Sequence, residues 1–180
     1  MGRMAGKAEF QVNWRPFQLN AAAPKEGVEK MEMYKEKFGE ARVKQMLPTM
    51  TKVFADEGLQ YSMGGLTGNT LNSHRLIAAA QKEGKADAVV EELMRNYFCE
   101  EKFINDRAVL LRAAEKAGMS DAAKIIDDEQ AYLKEVKEEL RTYAAGVRGV
   151  PYFIVNGKVG LSGAQDPSTF EELFNELLSK

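Results

Sequence analysis

Apolar and polar positions along the chain follow two periods, and the switches between them divide it. Residues 9–14 alternate. Phe10, Val12 and Trp14 fall on one side and Glu9, Gln11 and Asn13 on the other, the pattern of a half-buried strand bounded by Pro16. Phe17-Gln18-Leu19-Asn20 follows as a loop with apolar anchors, and residues 21–27 as a linker-like turn with Pro24. The period then becomes helical. Val28, Met31, Tyr34 and Phe38 lead to Gly39, a suitable stop. Val43, Met46, Leu47, Met50 and Phe54 form a second stripe, which Pro48 is expected to kink or split. Residues 59–68, with Gly64-Gly65, read as a loop. Asn69-Thr70 suits the cap of a helix reaching Lys82. After Gly84, the apolar positions Ala86, Val89, Val90, Leu93, Met94, Tyr97 and Phe98 make the most regular amphipathic helix of the chain. Ile104-Asn105-Asp106 caps the next, with Leu110, Ala113, Ala114 and Ala117 inward and Gly118 at its end. Ser120 opens a short helix through Ile126. Another is expected from about Asp128 to Ala145, burying Leu133, Val136, Leu140 and Tyr143 or Ala144.

The period returns to two at residues 149–163. Two runs rich in β-branched and aromatic residues flank Asn156-Gly157, a dipeptide suited to a type I′ hairpin turn. A two-residue loop predicts that Ile154 faces Val159 and Tyr152 faces Leu161. Phe153 with Gly160, and Val155 with Lys158, take the other side. Apolar residues on both sides predict a hairpin inside a larger sheet covered on both faces. Pro151 precedes the first strand, where it removes no ladder hydrogen bond. Asp166-Pro167 is a cap followed by a proline at the first helical position, and the closing helix is expected to bury Phe170, Leu173, Phe174, Leu177 and Leu178. Strand, many helices, hairpin and helix describe one α/β domain with a small sheet and a large helical insertion.

Composition changes this picture in one respect. The 180 residues, 44% hydrophobic and 29% charged, are those of an ordinary globular domain. A net charge of −2 gives no electrostatic case for nucleic acid or an anionic membrane, and no apolar run reaches spanning length. The first seven residues hold no signal-peptide core, residue 6 is not the hydroxyl residue that myristoylation at Gly2 prefers, and the last three residues are not a peroxisomal address, so a cytoplasmic location is expected. The change comes from cysteine. Cys99 stands alone, which excludes an intramolecular disulfide and a cysteine-rich metal site.

Four segments in order carry a family resemblance. They are Trp14-Arg15-Pro16-Phe17-Gln18-Leu19-Asn20, Asn69-Thr70-Leu71-Asn72-Ser73-His74-Arg75-Leu76, Gly149-Val150-Pro151-Tyr152-Phe153, and Ser162-Gly163-Ala164-Gln165. Together they resemble the DsbA-like thioredoxin-fold family, in its FrnE-like and 2-hydroxychromene-2-carboxylate isomerase-like branch. The resemblance runs from Phe10 to the C-terminus. It implies an incomplete thioredoxin-like fold with a large helical insertion at about 60–145 and a C-terminal hairpin and helix at 149–180, all in one domain spanning 1–180. It implies thiol–disulfide oxidoreductase chemistry, or in related branches glutathione-dependent isomerases and kappa-class glutathione transferases. It also implies that Pro151 is cis and faces the site, and that backbone groups of Val150 pair with an extended peptide or glutathione.

The family opens with a strand and a helix whose first turn carries Cys-x-x-Cys, or a serine or single cysteine in the isomerase-like branches. Residues 1–8 match none of these. Dithiol exchange needs an attacking thiolate and a resolving partner, and one cysteine cannot supply both. Cys99 ends an amphipathic helix, the end that disfavours a thiolate, so it reads as structural. The expectation is a truncated gene product without dithiol redox activity of its own. In the family the first strand lies between the second strand and the hairpin. Without it, the alternatives are that residues 10–14 pair instead with residues 152–155, or that a partner chain fills the gap, as in a homodimer.

The candidate binding residues are Val150, Pro151, His74, Gln165 and Phe17, with no catalytic residue and no metal ligand. His74 has two readings: a cleft residue touching substrate near Pro151, or a locally hydrogen-bonded residue near a helix start. Asn69 and Thr70 read as caps. Trp14, Phe17 and Leu19 read first as core and loop anchors, and Met31, Met46, Met50 and Met94 as core filler. The charge run from Lys134 to Arg141 reads as a solvated helix face. In kappa-class relatives a Ser-Asp pair grips the γ-glutamyl end of glutathione. Ala164-Gln165 stands at the matching positions, so glutathione is the less supported ligand and no other cofactor is expected.

Overall fold

Residues 1–179 are described by a computed structural model. Eight α-helices and two small two-stranded sheets appear among them. A short pair, β1 (Val28–Glu29) with β2 (Leu66–Thr67), closes the base of a helical hairpin formed by α1 (Lys30–Phe38) and α2 (Glu40–Asp56). Gly39 turns the chain between the two helices at φ 82°. Contrary to expectation, Pro48 does not split α2. The carbonyl that its missing N–H leaves free belongs to Lys44, which is exposed and open to water.

The core is built by α3 (Leu71–Lys82), α4 (Ala86–Phe98), α5 (Arg107–Lys116), α6 (Ala122–Asp127) and α7 (Leu133–Tyr143). Leu76, Ala79, Ala80, Val89, Leu93, Leu110, Ala113 and Ala114 form one buried cluster. Alanines at the crossing points let α3, α4 and α5 approach closely. Leu76 and Leu110, both fully buried, each contribute about 1.5–3 kcal/mol by leaving water. The start of α5 is as expected, with the Asp106 carboxylate accepting from the Val109 N–H at 3.0 Å.

Helix α7 starts later than its periodicity predicts, and Arg75 is the reason. Its guanidinium, on the buried face of α3, donates to the carbonyls of Ala131 (2.7 Å), Ile125 (2.5 Å) and Asp128, and to the side chain of Asn72 (2.9 Å). Arg75 ties these carbonyls together across the stretch between α6 and α7, which stays a turn: the Ala131 N–H also donates to the Asp128 carbonyl at 3.0 Å, and Tyr132 takes a left-handed conformation at φ 57°. A second close approach lies at Gly64 and Gly65. A Cβ on Gly64 would sit 2.6 Å from the Glu101 carboxylate, and one on Gly65, at φ 79°, would overlap the Glu101 carbonyl.

The C-terminal unit is the hairpin β3 (Tyr152–Val155) and β4 (Val159–Ser162) with α8 (Pro167–Leu178). Asn156 and Gly157 both have positive φ, and the Lys158 N–H donates to the Val155 carbonyl at 3.0 Å, as a I′ turn requires. The predicted register is nevertheless off by one. The pairs are Val155 with Val159, Ile154 with Gly160, Phe153 with Leu161 and Tyr152 with Ser162. Lys158 is left unpaired after the turn, which gathers Phe153, Val155, Val159 and Leu161 on one face. That face meets α8, with the Phe153 and Phe170 rings 4.9 Å apart. The hairpin does not lie inside a larger sheet: Tyr152 and Ile154 on its other face are exposed. Leu178, expected inside, is 53% exposed.

Residues 9–14 form no strand. Phe10 and Val12 are half-buried, as their alternation predicts, but the stretch pairs with no strand and does not pair with residues 152–155. Side chains hold it instead. Gln81 on α3 accepts from the Trp14 N–H (3.1 Å) and donates to the Val12 carbonyl (3.4 Å). The Trp14 indole N–H donates to Asp87 at 2.5 Å, and Arg15 pairs with Glu139 while lying over the Tyr143 ring. Phe10 packs edge-on against Phe174 of α8 with ring centres 4.9 Å apart.

Candidate functional site

The five candidate residues fall into two groups. Val150, Pro151 and Gln165 surround the hairpin, and His74 and Phe17 lie where the N-terminal arm crosses α3. Among the described residues no hydrogen bond, ion pair or ring contact links the groups.

At the hairpin, the Val150–Pro151 peptide bond is cis. The Gly163 N–H donates to the Pro151 carbonyl at 2.9 Å, which joins the lip to the end of β4. Bonding alternates along an antiparallel strand, so the backbone groups of Tyr152 and Ile154 point to the side away from β4. Among the described residues, the N–H and C=O of Val150 have no protein partner, and the residue is 49% exposed. Gln165 is exposed and its amide donates to the Ser162 carbonyl at 2.8 Å, so it fastens the turn before α8. Asp166 precedes that helix without a side-chain cap.

At the arm, His74 Nε2–H donates to the Phe17 carbonyl at 3.2 Å. Burial pushes the imidazole pKa below its ordinary value, against a smaller upward pull from the Phe17 bond. Asn69 acts as a cap: its side-chain oxygen accepts from the Leu71 N–H at 2.9 Å, and its amide donates to the Ala21 carbonyl at 3.0 Å. Gln81 is the residue that sequence reasoning passed over. A glutamine late in an amphipathic helix carries no local signal, and its role exists only once the arm lies across α3.

Cys99 caps the C-terminus of α4 and is half-buried. No cluster of metal-ligating side chains occurs among the described residues. A surface concavity of about 670 Å³ runs along α7 past Leu133, Lys137, Leu140 and Arg141, and none of the five candidate residues lines it.

A helical layer between an N-terminal arm and a hairpin entered through a cis-proline is matched by a family model described as the DSBA-like thioredoxin domain, over residues 1–175. The chain belongs to that family. A similar solved structure is that of a probable DsbA oxidoreductase from Streptomyces coelicolor, with a TM-score of 0.84 and 27% identity over 92% of this chain and 74% of that one. No curated protein matches the chain. The fold is therefore the thioredoxin-like DsbA fold, mostly helical with small sheets. The family is one of thiol–disulfide oxidoreductase-like proteins. Among the described residues no helix is long and apolar enough to cross a membrane.

Proposed function

We propose that this DsbA-family chain holds an extended peptide at the Val150–Pro151 lip and performs no dithiol exchange with its own residues. One observation carries the reading: the N–H and C=O of Val150 are unpaired and exposed beside β3, where an extended backbone can add to them. The cysteine count supports the second half. Exchange by attack and resolution needs two thiols, and Cys99 is the only one.

Peptide is favoured over glutathione by Gln165. Its neutral amide, which donates to the Ser162 carbonyl, stands at the position matching the aspartate of the kappa-class pair. A likeness to the FrnE-like branch in the four signature segments supports the same substrate class.

Two measurements test the reading. Dithiothreitol-driven insulin reduction should proceed at the uncatalysed rate with the native chain and with Cys99→Ser. Turnover that disappears in Cys99→Ser would overturn the inactive assignment. Thermal melting should shift upward with an extended peptide and stay unchanged with glutathione. A shift with neither would remove the binding half.

A further inference from the structure

Helix α2 commits one side to the fold. Val43 is buried, and the centre of the Phe54 ring lies 4.9 Å from that of Tyr61 and 5.8 Å from that of Phe98 on α4. At about 3.6 residues per turn, Arg42, Met46, Thr49 and Val53 run along a different side. That side is open. Arg42, Thr49 and Val53 are exposed, Val53 by 52%, and Met46 is half-buried. Arg42, Gln45, Met46 and Thr49 stand at the spacing that forms a hole for one side chain of a facing helix, and with Met50 they line a concavity of about 260 Å³. The charges on the helix are sorted as well. Glu40 pairs with Lys44, and Lys52 with Asp56. The two charges left between residues 40 and 57 are Arg42, whose guanidinium lies 5.7 Å from the Phe38 ring centre, and Glu57, which follows the last turn. Neither joins an ion pair among the described residues.

We infer that this face is a self-association surface, on which α2 of a second copy of the chain packs antiparallel. Two-fold symmetry requires that wherever one residue faces another across the contact, the reverse pair occurs too. A register centred between Thr49 and Met50 satisfies this. The second copy's Val53 then enters the hole around Met46, and Val53 of the first copy enters the equivalent hole. Thr49 and Met50 meet their counterparts near the axis. The same register sets Arg42 against Glu57 of the other copy at both ends, because each lies equally far in sequence from the centre. A parallel pair would oppose Arg42 to Arg42 and Glu57 to Glu57, so charge selects the antiparallel arrangement. Removing Val53 and Met46 from water supplies the attraction, while exposed ion pairs add little strength and set orientation. One helix face is a small contact, so the dimer is transient and forms at roughly 10–100 µM. The surface shares no residue with the Val150–Pro151 lip and stands whether or not the lip holds peptide.

Sedimentation velocity of the full chain across that concentration range tests the inference, with thermal melting of the dilute protein as the control for folding. The native chain should pass from monomer to dimer. Val53→Asp should weaken association roughly 100-fold, since each copy then carries a carboxylate into the apolar contact. Its melting temperature when dilute should stay near the native value, because this side chain already faces water in the monomer. Arg42→Glu should weaken association roughly tenfold by opposing like charges, and Arg42→Glu combined with Glu57→Arg should restore the native transition. A native chain that stays monomeric throughout the range would overturn the inference. So would a dimer indifferent to Val53→Asp, which would place the contact on another surface. A double variant as weak as Arg42→Glu alone would overturn the antiparallel register. Protection of α2 from amide exchange by an unrelated amphipathic helical peptide, in a chain that remains monomeric, would assign the face to a different protein and overturn the second copy as its occupant.

Discussion

Replacing Arg75 by methionine isolates the contact that shapes the connection between α6 and α7. Arg75 is 2% exposed, and its guanidinium serves three backbone carbonyls and the Asn72 side chain. Burial lowers its pKa, and the nearby Asp128 and Glu129 carboxylates oppose the shift. Methionine fills a similar length of side chain but donates nothing. Each buried carbonyl left unpaired costs about 1–3 kcal/mol, with relief where the turn reaches water. The Asp128 carbonyl has that relief because its residue is exposed, which leaves the Ile125 and Ala131 carbonyls to dominate. The expected loss is about 3–5 kcal/mol, the range for breaking a buried polar network. In urea this lowers the unfolding midpoint by about 1.5–2.5 M for an m-value near 2 kcal/mol/M. Arg75→Lys should fall between, since one ammonium cannot match a planar fork across separated carbonyls. The freed carbonyls can return to helical bonding, so far-ultraviolet circular dichroism at low urea should not decrease. A loss below about 1 kcal/mol, or a lysine variant equal to the native chain, would refute the account of α7's late start.

Other consequences are open to equally direct checks. His74 has a folded-state pKa below its ordinary 6.5 because burial penalises the cation. Its contribution is therefore full above that value and is lost as pH falls through the lowered folded pKa. In His74→Asn, chemical denaturation at a series of pH values should show a flatter profile across that window, and an unchanged slope would exclude His74 as its source. Gly65→Ala places a methyl group against the Glu101 carbonyl at a left-handed φ. It should cost about 2–4 kcal/mol in urea unfolding, whereas Gly118→Ala, with similar φ and open space around it, should cost about 1 kcal/mol. Gln81→Ala should remove about 1 kcal/mol and speed proteolysis within residues 8–20 before the helical core is cut; uniform cleavage would argue against its role in holding the arm.

The signals that proved readable are local. Gly39 and Gly118 end helices because a left-handed residue stops the α-helical ladder, and Asp106 and Asn69 cap because a short polar side chain reaches a free N–H nearby. The alternation in residues 9–14 correctly marks Phe10 and Val12 as half-buried but not Trp14, which is 39% exposed, and among the described residues no strand pairs with the stretch. Candidate site residues were legible where a motif carries them. Pro151 and Val150 stand out beside the hairpin because a proline before a strand and the Asn-Gly turn are both written locally. Gln81 was not legible, since its carboxamide acts on a segment far away in sequence.

Amino-acid order by itself determined the succession of helices, their capped ends, the family and the single thiol that bears on its redox chemistry. Periodicity, capping and residue count act over a few positions, and they hold whatever the rest of the chain does. Tertiary structure decided the points that depend on distant partners. It slid the β3–β4 register by one residue, so that Phe153 and its neighbours meet α8. It held the turn before α7, where Arg75 from α3 donates to the Asp128 and Ala131 carbonyls. It left the arm held by Gln81 side-chain bonds to Val12 and Trp14 in place of a neighbouring strand. In each case a backbone group had two possible partners, and the choice between them was settled by which one the folded core brought within reach.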